Sequence, residues 1–397
     1  MAAVVAASCA TAALTTEPSP CRDPVVSAPT PVATVAAGTP SPTPGSTATC
    51  AARTLAGMTD EQRVGQLFML GVEGDSLSAA ETSAIVAHHF GSVFLVNTRT
   101  GGLATVRMLT TAIDALATDS NTRGAGFLVA ADQEGGLVQR LKGPGFSAIP
   151  PALAQGELST ASLQAQATTW GSELSAAGVN LDLGPVMDVV PPGADATNQP
   201  IGALQREFGH DPTTVGSHGA AVVTGMAQAG VATTLKHFPG LGRVVGNTDT
   251  TAGVVDSKTT PDDPYLAAFD AGIRAGAPFV MVSLATYSAI DPDRRAVFSP
   301  TIIGTLLRGR FGFTGVVVSD DLGATAAIAS LAPGARATAF IEAGGDLIIV
   351  GSVGPAAEMV AAVLARARSD AALAAQVDAA ALKILEAKAA YGLRSCD

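Results

Sequence analysis

The sequence has few charged and few aromatic residues, and these deficits exclude several classes of protein. Charged residues make up 14% of the 397 positions and aromatic residues 4%. The net charge is −11 and the 23 basic residues form no dense run, whereas nucleic-acid binding needs a basic surface. No apolar stretch reaches the roughly 18 residues that span a bilayer. We therefore expect no nucleic-acid partner, and a chain that is soluble or at most tethered to a membrane.

Motifs that define several enzyme classes are also missing. The sequence contains no GxSxG elbow of a serine hydrolase, no phosphate-binding P-loop, and no GxGxxG dinucleotide loop after a strand. Only five histidines occur, two of them at His88-His89, and no Cys/His spacing is typical of zinc, so metal-dependent hydrolysis has weak support. The sequence therefore predicts neither a metal nor an organic cofactor.

The first 50 residues differ in composition from the rest. Residues 1–14 are rich in Ala and Val and are similar to a bacterial lipoprotein signal with Cys9 as the lipidated residue, although they contain no basic residue. Residues 15–50 are rich in Pro, Thr, Ser and Ala and predict a flexible linker. We expect one folded domain over residues 51–397. We also expect an exported protein, either lipid-anchored in the cell envelope or extracellular.

Apolar, β-branched runs alternate with helical patterns along this domain. Such runs are typical of a parallel sheet covered on both faces, and seven or eight units over about 345 residues predict a single α/β domain, a (β/α)₈ barrel. An open doubly wound sheet is the alternative. A capping box at Thr59 predicts a helix that runs through Phe68. The predicted strands are Ser92–Val96, Phe127–Ala131, Val179–Leu183, Val231–Leu235, Phe279–Ser283, Val316–Ser319 and Asp346–Val350. Further helices are predicted at Ser159–Ala177, Pro212–Ala229, Pro264–Ala275, Ser299–Arg310 and Ala371–Ala390.

The four cysteines all lie outside the body of the domain. They are Cys9, Cys21, Cys50 and Cys396. The two ends of a closed barrel can lie close together, so a Cys50–Cys396 disulfide is predicted in an oxidising compartment. The alternative is two free thiols.

Polar residues follow several of the predicted strands. Asp132-Gln133-Glu134, Lys236-His237 and Asp320-Asp321 each come directly after an apolar run. In a barrel, side chains at the carboxyl ends of the strands meet on one face, where catalytic residues are found. Two carboxylates within a shell of Lys, His, Arg and Asp suit glycoside hydrolysis, in which one carboxylate attacks the anomeric carbon and a second group transfers protons.

Four motifs carry a family resemblance. They are Asp132-Gln133-Glu134-Gly135-Gly136, Arg206-x-Phe208-Gly209-x-Asp211-Pro212, Lys236-His237-Phe238-Pro239-Gly240 and Ser319-Asp320-Asp321-Leu322. In this order and spacing they resemble the signature of glycoside hydrolase family 3, and within it the single-domain bacterial β-N-acetylhexosaminidases. The resemblance covers about Leu55 to Leu393 and implies a barrel enzyme whose partner is a carbohydrate substrate. We also expect a monomer.

The resemblance implies a role for each matching residue. Asp320 matches the nucleophile of a retaining mechanism, and its neighbour Asp321 is predicted to be structural. Glu134, in its Glu-Gly-Gly setting, is predicted to belong to a turn. The residues that match the sugar-binding shell are Asp132, Arg140, Arg206, Lys236 and His237.

The proton-transfer group is where this sequence departs from the family. Where the bacterial hexosaminidases have Asp-Ser-His, this chain has Asn247-Thr248-Asp249. A carboxylic acid can act as the acid/base if burial or a nearby nucleophile raises its pKa. We therefore hypothesise that Asp249 is the acid/base and that Asn247 orients it through a hydrogen bond. The alternatives are a different proton donor or impaired catalysis.

These residues predict an exo-acting retaining glycosidase that removes terminal β-linked N-acetylglucosamine from peptidoglycan fragments or related glycans. A β-glucosidase and an N-acetylglucosaminide phosphorylase of the same family are the alternatives. A carboxylate at position 249 would repel incoming phosphate, which favours hydrolysis. A further alternative belongs to a different functional class: a lipid-anchored sugar-binding protein with weak catalytic activity. The altered Asn247-Thr248-Asp249 segment would explain the weak activity.

Overall fold

Eight parallel strands form a barrel in the computed structural model, which describes residues 44–393 and the side chains from Cys50 onward. All eight strands are buried along their whole length, which explains their continuous apolar runs. The described residues fall within one compact unit, 42–397. The strands are β1 (Phe68–Val72), β2 (Ser92–Leu95), β3 (Leu128–Ala131), β4 (Leu181–Asp182), β5 (Ala232–Phe238), β6 (Phe279–Val282), β7 (Val316–Ser319) and β8 (Ile348–Val350).

The strands pair around the barrel in the order in which they occur along the chain. Strand β1 pairs in parallel with both β2 and β8, and each strand from β2 to β6 pairs in parallel with the next. A parallel bridge between Val318 and Leu347 joins β7 to the residues that enter β8. The sheet is therefore closed, which confirms the predicted (β/α)₈ barrel over the doubly wound alternative.

Helices cover the outside of the barrel. They are α1 (Pro44–Ala56), α2 (Asp60–Gln66), α3 (Ala79–Ala87), α4 (Gly102–Asp114), α5 (Asp119–Thr122), α6 (Ala152–Gln155), α7 (Thr160–Ala176), α8 (Pro212–Gln228), α9 (Ala267–Arg274), α10 (Pro333–Glu342), α11 (Val353–Ser369), α12 (Ala371–Ala390) and a π-helix, Thr301–Arg310. The capping box at Thr59 starts α2 as predicted. Asp211 caps α8, whose first residue is Pro212, because its carboxylate accepts from two otherwise unpaired backbone amides. Cap residues thus set where these helices begin.

Two of the boundaries that differ from the sequence prediction change the assignment of particular residues. Helix α2 ends at Gln66, and Phe68–Val72, which the prediction placed partly in that helix, forms β1. The whole segment is buried, so its apolar residues show neither the period of a helix nor that of a half-exposed strand, and sequence alone could not separate the two. Strand β5 extends to Phe238 and not only to Leu235. Lys236 and His237 therefore project from a strand and not from a loop.

The two ends of the described chain lie together on the barrel. Helix α1 packs against α12 around a small apolar cluster that includes Ala51, Met58 and Leu385. The helix starts at Pro44, within the segment predicted as linker (15–50), because its Ala-rich turns have this surface to pack on. Cys50 is buried and takes part in a disulfide. Its predicted partner, Cys396, lies outside the described residues, as do Cys9 and the predicted signal.

A buried lysine fixes helix α12 to the amino-terminal end of the barrel. Lys388 Nζ donates hydrogen bonds of 2.7 Å to the Gln66 side-chain oxygen and to the Gly91 carbonyl oxygen. Burial lowers the pKa of Lys388 to about 7.

Among the described residues, no helix is long and apolar enough to cross a membrane.

Candidate active site

A cavity of about 530 Å³ opens at the carboxyl ends of the barrel strands. Asp132 lies just after β3, Lys236 and His237 lie near the end of β5, and Asp320 lies just after β7. This is the face on which barrel enzymes carry their active sites. All eight residues predicted for the site line this one cavity: Asp132, Arg140, Arg206, Lys236, His237, Asn247, Asp249 and Asp320.

Lys236 is the centre of a buried charge network on one side of the cavity. Its Nζ donates a 2.6 Å hydrogen bond to Asp132 Oδ1 and lies 2.6 Å from Glu134 Oε1. Burial by itself would lower the pKa of Lys236, but the Asp132 and Glu134 carboxylates outweigh it and the pKa is raised. Lys236 is therefore held as a cation beside an Asp132 carboxylate that also faces the cavity.

Glu134 connects this network to Arg206. Arg206 donates from Nε to Glu134 Oε2 (2.8 Å) and from one terminal nitrogen to Oε1 (2.7 Å), a bidentate pair. Burial would raise the pKa of Glu134, but the charges of Arg206 and Lys236 hold it at about 2. The prediction that Glu134 belongs to a turn was therefore incomplete. It does lie in a short hairpin, Gln133–Gly135 with Val138–Gln139, but its carboxylate holds two of the predicted sugar-binding cations.

We expect Glu134→Gln to lower the free energy of unfolding by about 3 kcal/mol at pH 7, because two buried cations lose their shared carboxylate. The pKa of Glu134 is about 2 in the folded protein against a model value of 4.5. This stabilisation is therefore complete above pH 4.5 and is lost as the pH falls towards 2. Urea unfolding of both proteins at pH 7 and pH 3 measures the difference, which should shrink at the lower pH.

The control for this substitution is Asp270→Asn, which removes a carboxylate from an exposed ion pair with Arg274. We expect it to cost less than about 0.5 kcal/mol. Equal losses for the two variants, or a Glu134→Gln loss that does not depend on pH, would contradict the buried-network interpretation.

His237 is oriented by a carboxylate to which the sequence analysis gave no role. Asp188 Oδ2 lies 2.7 Å from His237 Nδ1, and Asp188 Oδ1 accepts from the backbone amides of His237 (3.1 Å) and Leu241 (2.8 Å). Asp188 is fully buried. Because Nδ1 donates to this carboxylate, Nε2 is the ring nitrogen left for a ligand. The position of Asp188 after the predicted strand Val179–Leu183 was the only sequence signal for it.

Asp320 and Asp321 have different surroundings although they are neighbours in sequence. Burial raises the pKa of Asp320 to about 6, with the Asp249 charge adding to the rise and His237 opposing it. Asp321 Oδ1 instead accepts from the backbone amides of Gly323 (2.7 Å) and Gly351 (2.9 Å). Asp321 thus ties the residues after β7 to those after β8, while Asp320, whose Oδ1 accepts from the Asp321 amide at 2.8 Å, lines the cavity.

The loop after β5 brings Asp249 to the same cavity. Its start packs closely on the barrel: a Cβ at Gly242 would lie 1.9 Å from the Val189 carbonyl oxygen, so only glycine fits there. Its far end is fastened to the segment after Asp320, because Ala326 N donates to the Asp249 carbonyl oxygen at 3.1 Å and Ala327 N donates in the same way to Thr248. Asp249 itself is exposed.

Asn247 acts on the backbone of this loop in the structure. Its Oδ1 accepts a 2.9 Å hydrogen bond from the backbone amide of Asp249, whereas the sequence predicted a hydrogen bond to the Asp249 carboxyl group. Asn and Asp side chains favour such bonds to an amide two residues on, because this closes a local turn. Asn247 therefore shapes the turn that presents Asp249.

Two further polar groups belong to the surroundings of the site, Arg140 in the cavity wall and Asp182 buried outside it. Arg140 lines the cavity, and its Nε is buried with no hydrogen-bond partner among residues 44–393. Asp182, at the end of β4, accepts a 3.0 Å hydrogen bond from the Gln133 backbone amide. Burial, aided by the charges of Asp132 and Glu134, raises the pKa of Asp182 to about 7. Sequence analysis gave Asp182 no role because it lies within a predicted strand.

Comparisons with known proteins agree with the motifs and the geometry. The family model described as "Glycosyl hydrolase family 3 N terminal domain" matches residues 59–387. A β-hexosaminidase of Xanthomonas oryzae pv. oryzae is 35% identical over 320 residues, which cover 77% of this chain and 90% of that protein. The crystal structure of a β-N-acetylhexosaminidase from Beutenbergia cavernae is 54% identical and superposes with a TM-score of 0.82, covering 84% of this chain and 99% of that one.

A family 3 β-N-acetylglucosaminidase from a Paenibacillus species is more distant. It is 29% identical with a TM-score of 0.76, and the match covers 85% of this chain and 64% of that one. The family model alone spans most of the chain, and the four sequence motifs all lie within its limits. This chain therefore belongs to glycosyl hydrolase family 3.

Proposed function

We propose that this protein is an exo-acting, retaining β-N-acetylhexosaminidase that removes terminal N-acetylglucosamine from glycans. The observation that carries the proposal is that Asp320 and Asp249 line one cavity together with a shell of charged hydrogen-bonding groups. Retaining glycosidases need one carboxylate as nucleophile and a second group that first donates and then accepts a proton. The relatives from Xanthomonas and Beutenbergia, which bear the names β-hexosaminidase and β-N-acetylhexosaminidase, support the same substrate class.

In the first step Asp320 attacks the anomeric carbon, and the bond from that carbon to the leaving oxygen breaks. Asp249 gives its proton to the leaving oxygen, so the products are a glycosyl ester on Asp320 and a free alcohol. In the second step Asp249 takes a proton from water, whose oxygen attacks the same carbon. Asp320 leaves as a carboxylate, Asp249 is protonated again, and the sugar is released with its original anomeric configuration.

The charged shell suits a sugar bound beside Asp320. Asp132 and Lys236 present an anion and a cation 2.6 Å apart, a pairing that can accept from one hydroxyl of a vicinal pair and donate to the other. Arg140, which also lines the cavity, offers a further hydrogen-bond donor through its guanidinium group. His237, oriented by Asp188, presents Nε2.

The experiment that tests this function compares p-nitrophenyl N-acetyl-β-glucosaminide with p-nitrophenyl β-glucoside. We expect kcat/KM to favour the first by at least about 100-fold, because a site built to bond the acetamido group loses those bonds with glucose. Added phosphate should not accelerate release or yield sugar 1-phosphate. A preference for the glucoside would favour a β-glucosidase, phosphate acceleration would favour a phosphorylase, and tight binding without turnover would favour a sugar-binding protein.

We expect the acid limb of kcat/KM to have an apparent pKa near 6, because the nucleophile must be ionised and burial raises the pKa of Asp320 to about 6. Activity is then lost as the pH falls through 6. Asp249→Asn removes a charge that raises the pKa of Asp320, so the acid limb should move to lower pH. A dinitrophenyl substrate has a leaving group that needs little acid assistance, so its pH–rate profile measures the acid-limb pKa of wild type and of Asp249→Asn. Equal pKa values in the two proteins would contradict an effect of the Asp249 charge on Asp320.

The proposal extends to peptidoglycan fragments as substrates and to a monomeric protein that is exported and lipid-anchored through Cys9. What supports export is the composition of residues 1–50 and the grouping of all four cysteines outside the barrel body. Labelling with a fatty acid should modify the wild-type protein and not Cys9→Ser. Equal labelling of both proteins would contradict the proposed anchor.

A further inference from the structure

A second cluster of ionisable groups lies beside the active site and takes no part in the mechanism above. Asp195, Glu207 and His210 each offer one ligand atom, and these atoms all lie within 4.8 Å of one another. Asp195 lies on the segment between β4 and the short turn Gly202–Leu204, and the other two lie between that turn and α8. The three stand apart from the described residues that line the active-site cavity.

Glu207 is the member of the cluster that most needs a partner. Its side chain is fully buried, and neither carboxylate oxygen has a hydrogen-bond partner among the described residues. The Asp195 Oδ1 atom is likewise buried and unpaired within residues 44–393. Burial and the nearby Asp195 raise the pKa of Glu207 to about 7. A buried carboxyl group and a buried oxygen of a second carboxyl group, both without a hydrogen-bond donor, are costly unless a proton or a cation compensates them.

His210 gives the cluster a nitrogen ligand and a route to solvent. Its Nδ1 lies 3.6 Å from Asp195 Oδ1 and donates to the Val190 carbonyl oxygen at 3.2 Å, so Nε2 is the ring nitrogen that remains for a metal ion. The side chains of His210 and Asp195 are 34% and 39% exposed, so an ion can reach the buried Glu207 from that side. The cluster thus has a solvent-facing side, formed by His210 and Asp195, and a buried anionic end at Glu207.

We propose that Asp195, Glu207 and His210 bind a divalent transition-metal ion. One imidazole and two carboxylates are a mixed nitrogen and oxygen ligand set, which suits Zn²⁺ or Mn²⁺ better than Mg²⁺ or Ca²⁺, for which all-oxygen sites are usual. The ion supplies the positive charge that the two carboxylates lack, and water completes its coordination. No sequence motif indicates this site, because its ligands do not follow a Cys/His spacing.

The ion would act on the active site through the backbone. Glu207 directly follows Arg206, whose guanidinium holds Glu134 and also donates to the Pro200 carbonyl oxygen at 2.8 Å. A metal that joins Asp195 to Glu207 and His210 fixes the two ends of the segment 195–210 to each other. Its role is to position this segment, and it does not contact the reacting atoms.

The test uses the full chain, stripped with a chelator and then titrated at pH 7.5 with ZnCl₂, MnCl₂ or MgCl₂. Calorimetry should show one equivalent of Zn²⁺ or Mn²⁺ bound and weaker or no binding of Mg²⁺. Saturation should raise Tm by about 2 °C or more, because the ion binds the folded state. Co²⁺ in place of Zn²⁺ should give visible absorption bands that weaken in His210→Ala.

Glu207→Gln is the main variant, because it keeps the shape of the side chain and relieves the charge repulsion in the metal-free protein. We expect it to fold with an unchanged or higher Tm and to lose the bound equivalent and the metal-dependent rise in Tm. Asp270→Asn, an exposed carboxylate on α9, is the matched control and should bind as wild type does. Glu207→Gln leaves every group to which a catalytic step was assigned in place.

Three results would overturn the proposal. The stripped wild-type protein could bind none of the ions, in which case a proton compensates Glu207. Glu207→Gln could bind Zn²⁺ with the same stoichiometry and affinity as wild type. Binding could also be lost in His237→Ala while Glu207→Gln retains it, which would place the ion in the active-site cavity.

Discussion

Asp320→Asn should lower kcat for p-nitrophenyl N-acetyl-β-glucosaminide by about 10⁴-fold, because an amide cannot form the glycosyl ester and no other group replaces the nucleophile. Asp320 lies directly after β7 and lines the cavity, and burial raises the pKa of its carboxyl group to about 6. The amide fits the same space without the charge, so we expect KM and Tm to change little. Steady-state kinetics and thermal unfolding measure these quantities.

Asp321→Asn is the matched control for this substitution. The Asp321 carboxylate accepts from the amides of Gly323 and Gly351, and an amide oxygen can retain part of that bonding. We expect a lower Tm and a loss in kcat of no more than about tenfold, since a structural role affects stability before chemistry.

Trapping separates a nucleophile from a residue that only stabilises charge. A 2-fluoro sugar with a good leaving group should label wild type at Asp320, with a mass increase of one glycosyl unit on the peptide that contains Ser319 to Leu322. Asp321→Asn should be labelled in the same way and Asp320→Asn should not. Labelling of Asp320→Asn, or a loss in kcat below about tenfold, would show that a different residue is the nucleophile.

The barrel itself could be predicted from the sequence, because most of its strands and helices are indicated by residues that lie within or next to them. Seven of the eight strands have an apolar run that ends at Gly, Pro or a polar cluster, and the helices between them start at recognisable caps such as Asp211. Strand β1 was the exception. Phe68–Val72 follows α2 after a single residue, and a fully buried run carries no periodicity that separates strand from helix.

The site residues that matched the family motifs were all brought to one cavity, but their partners were harder to predict. Glu134 looked like part of a glycine turn, and its role depends on Arg206, which is distant in sequence and reaches it only in the folded protein. Asp188 received no role for the same reason, because its partner His237 is also distant in sequence. A charge network of this kind is set by the closure of the barrel, and a local sequence pattern does not contain it.

Loop geometry also changed the role of Asn247 from the one that the sequence predicted. Asn247 was predicted to orient the carboxyl group of Asp249, yet it accepts from the backbone amide of that residue. The carboxylate of Asp249 is consequently left exposed at the mouth of the cavity, where its charge raises the pKa of Asp320. A turn fixed at Asn247 and fastened at Ala326 holds Asp249 within reach of the reaction that Asp320 begins.

Asp249→Ala should therefore reduce kcat/KM far more for poor leaving groups than for good ones. A natural disaccharide needs full protonation of its leaving oxygen, and we expect a loss of about 10³-fold. A dinitrophenyl glycoside needs almost none, and its first step should lose less than about tenfold. Azide should restore turnover of the dinitrophenyl substrate and give the β-glycosyl azide, because the second step then no longer needs a base.

The competing candidate for proton transfer is the pair of Asp188 and His237, a carboxylate-oriented imidazole in the same cavity. If His237 only binds the sugar, His237→Ala should reduce kcat/KM for both leaving groups by a similar factor, and azide should not rescue it. If His237 transfers the proton, the dependence on the leaving group and the azide rescue should appear in His237→Ala and not in Asp249→Ala. The two hypotheses therefore predict opposite results. The leaving-group dependence and the azide rescue should appear only in the variant that lacks the true acid. The nearness of Asp249 to Asp320, whose pKa the Asp249 charge raises, favours Asp249 as the acid/base, since the proton donor and the nucleophile must act on the same glycosidic bond.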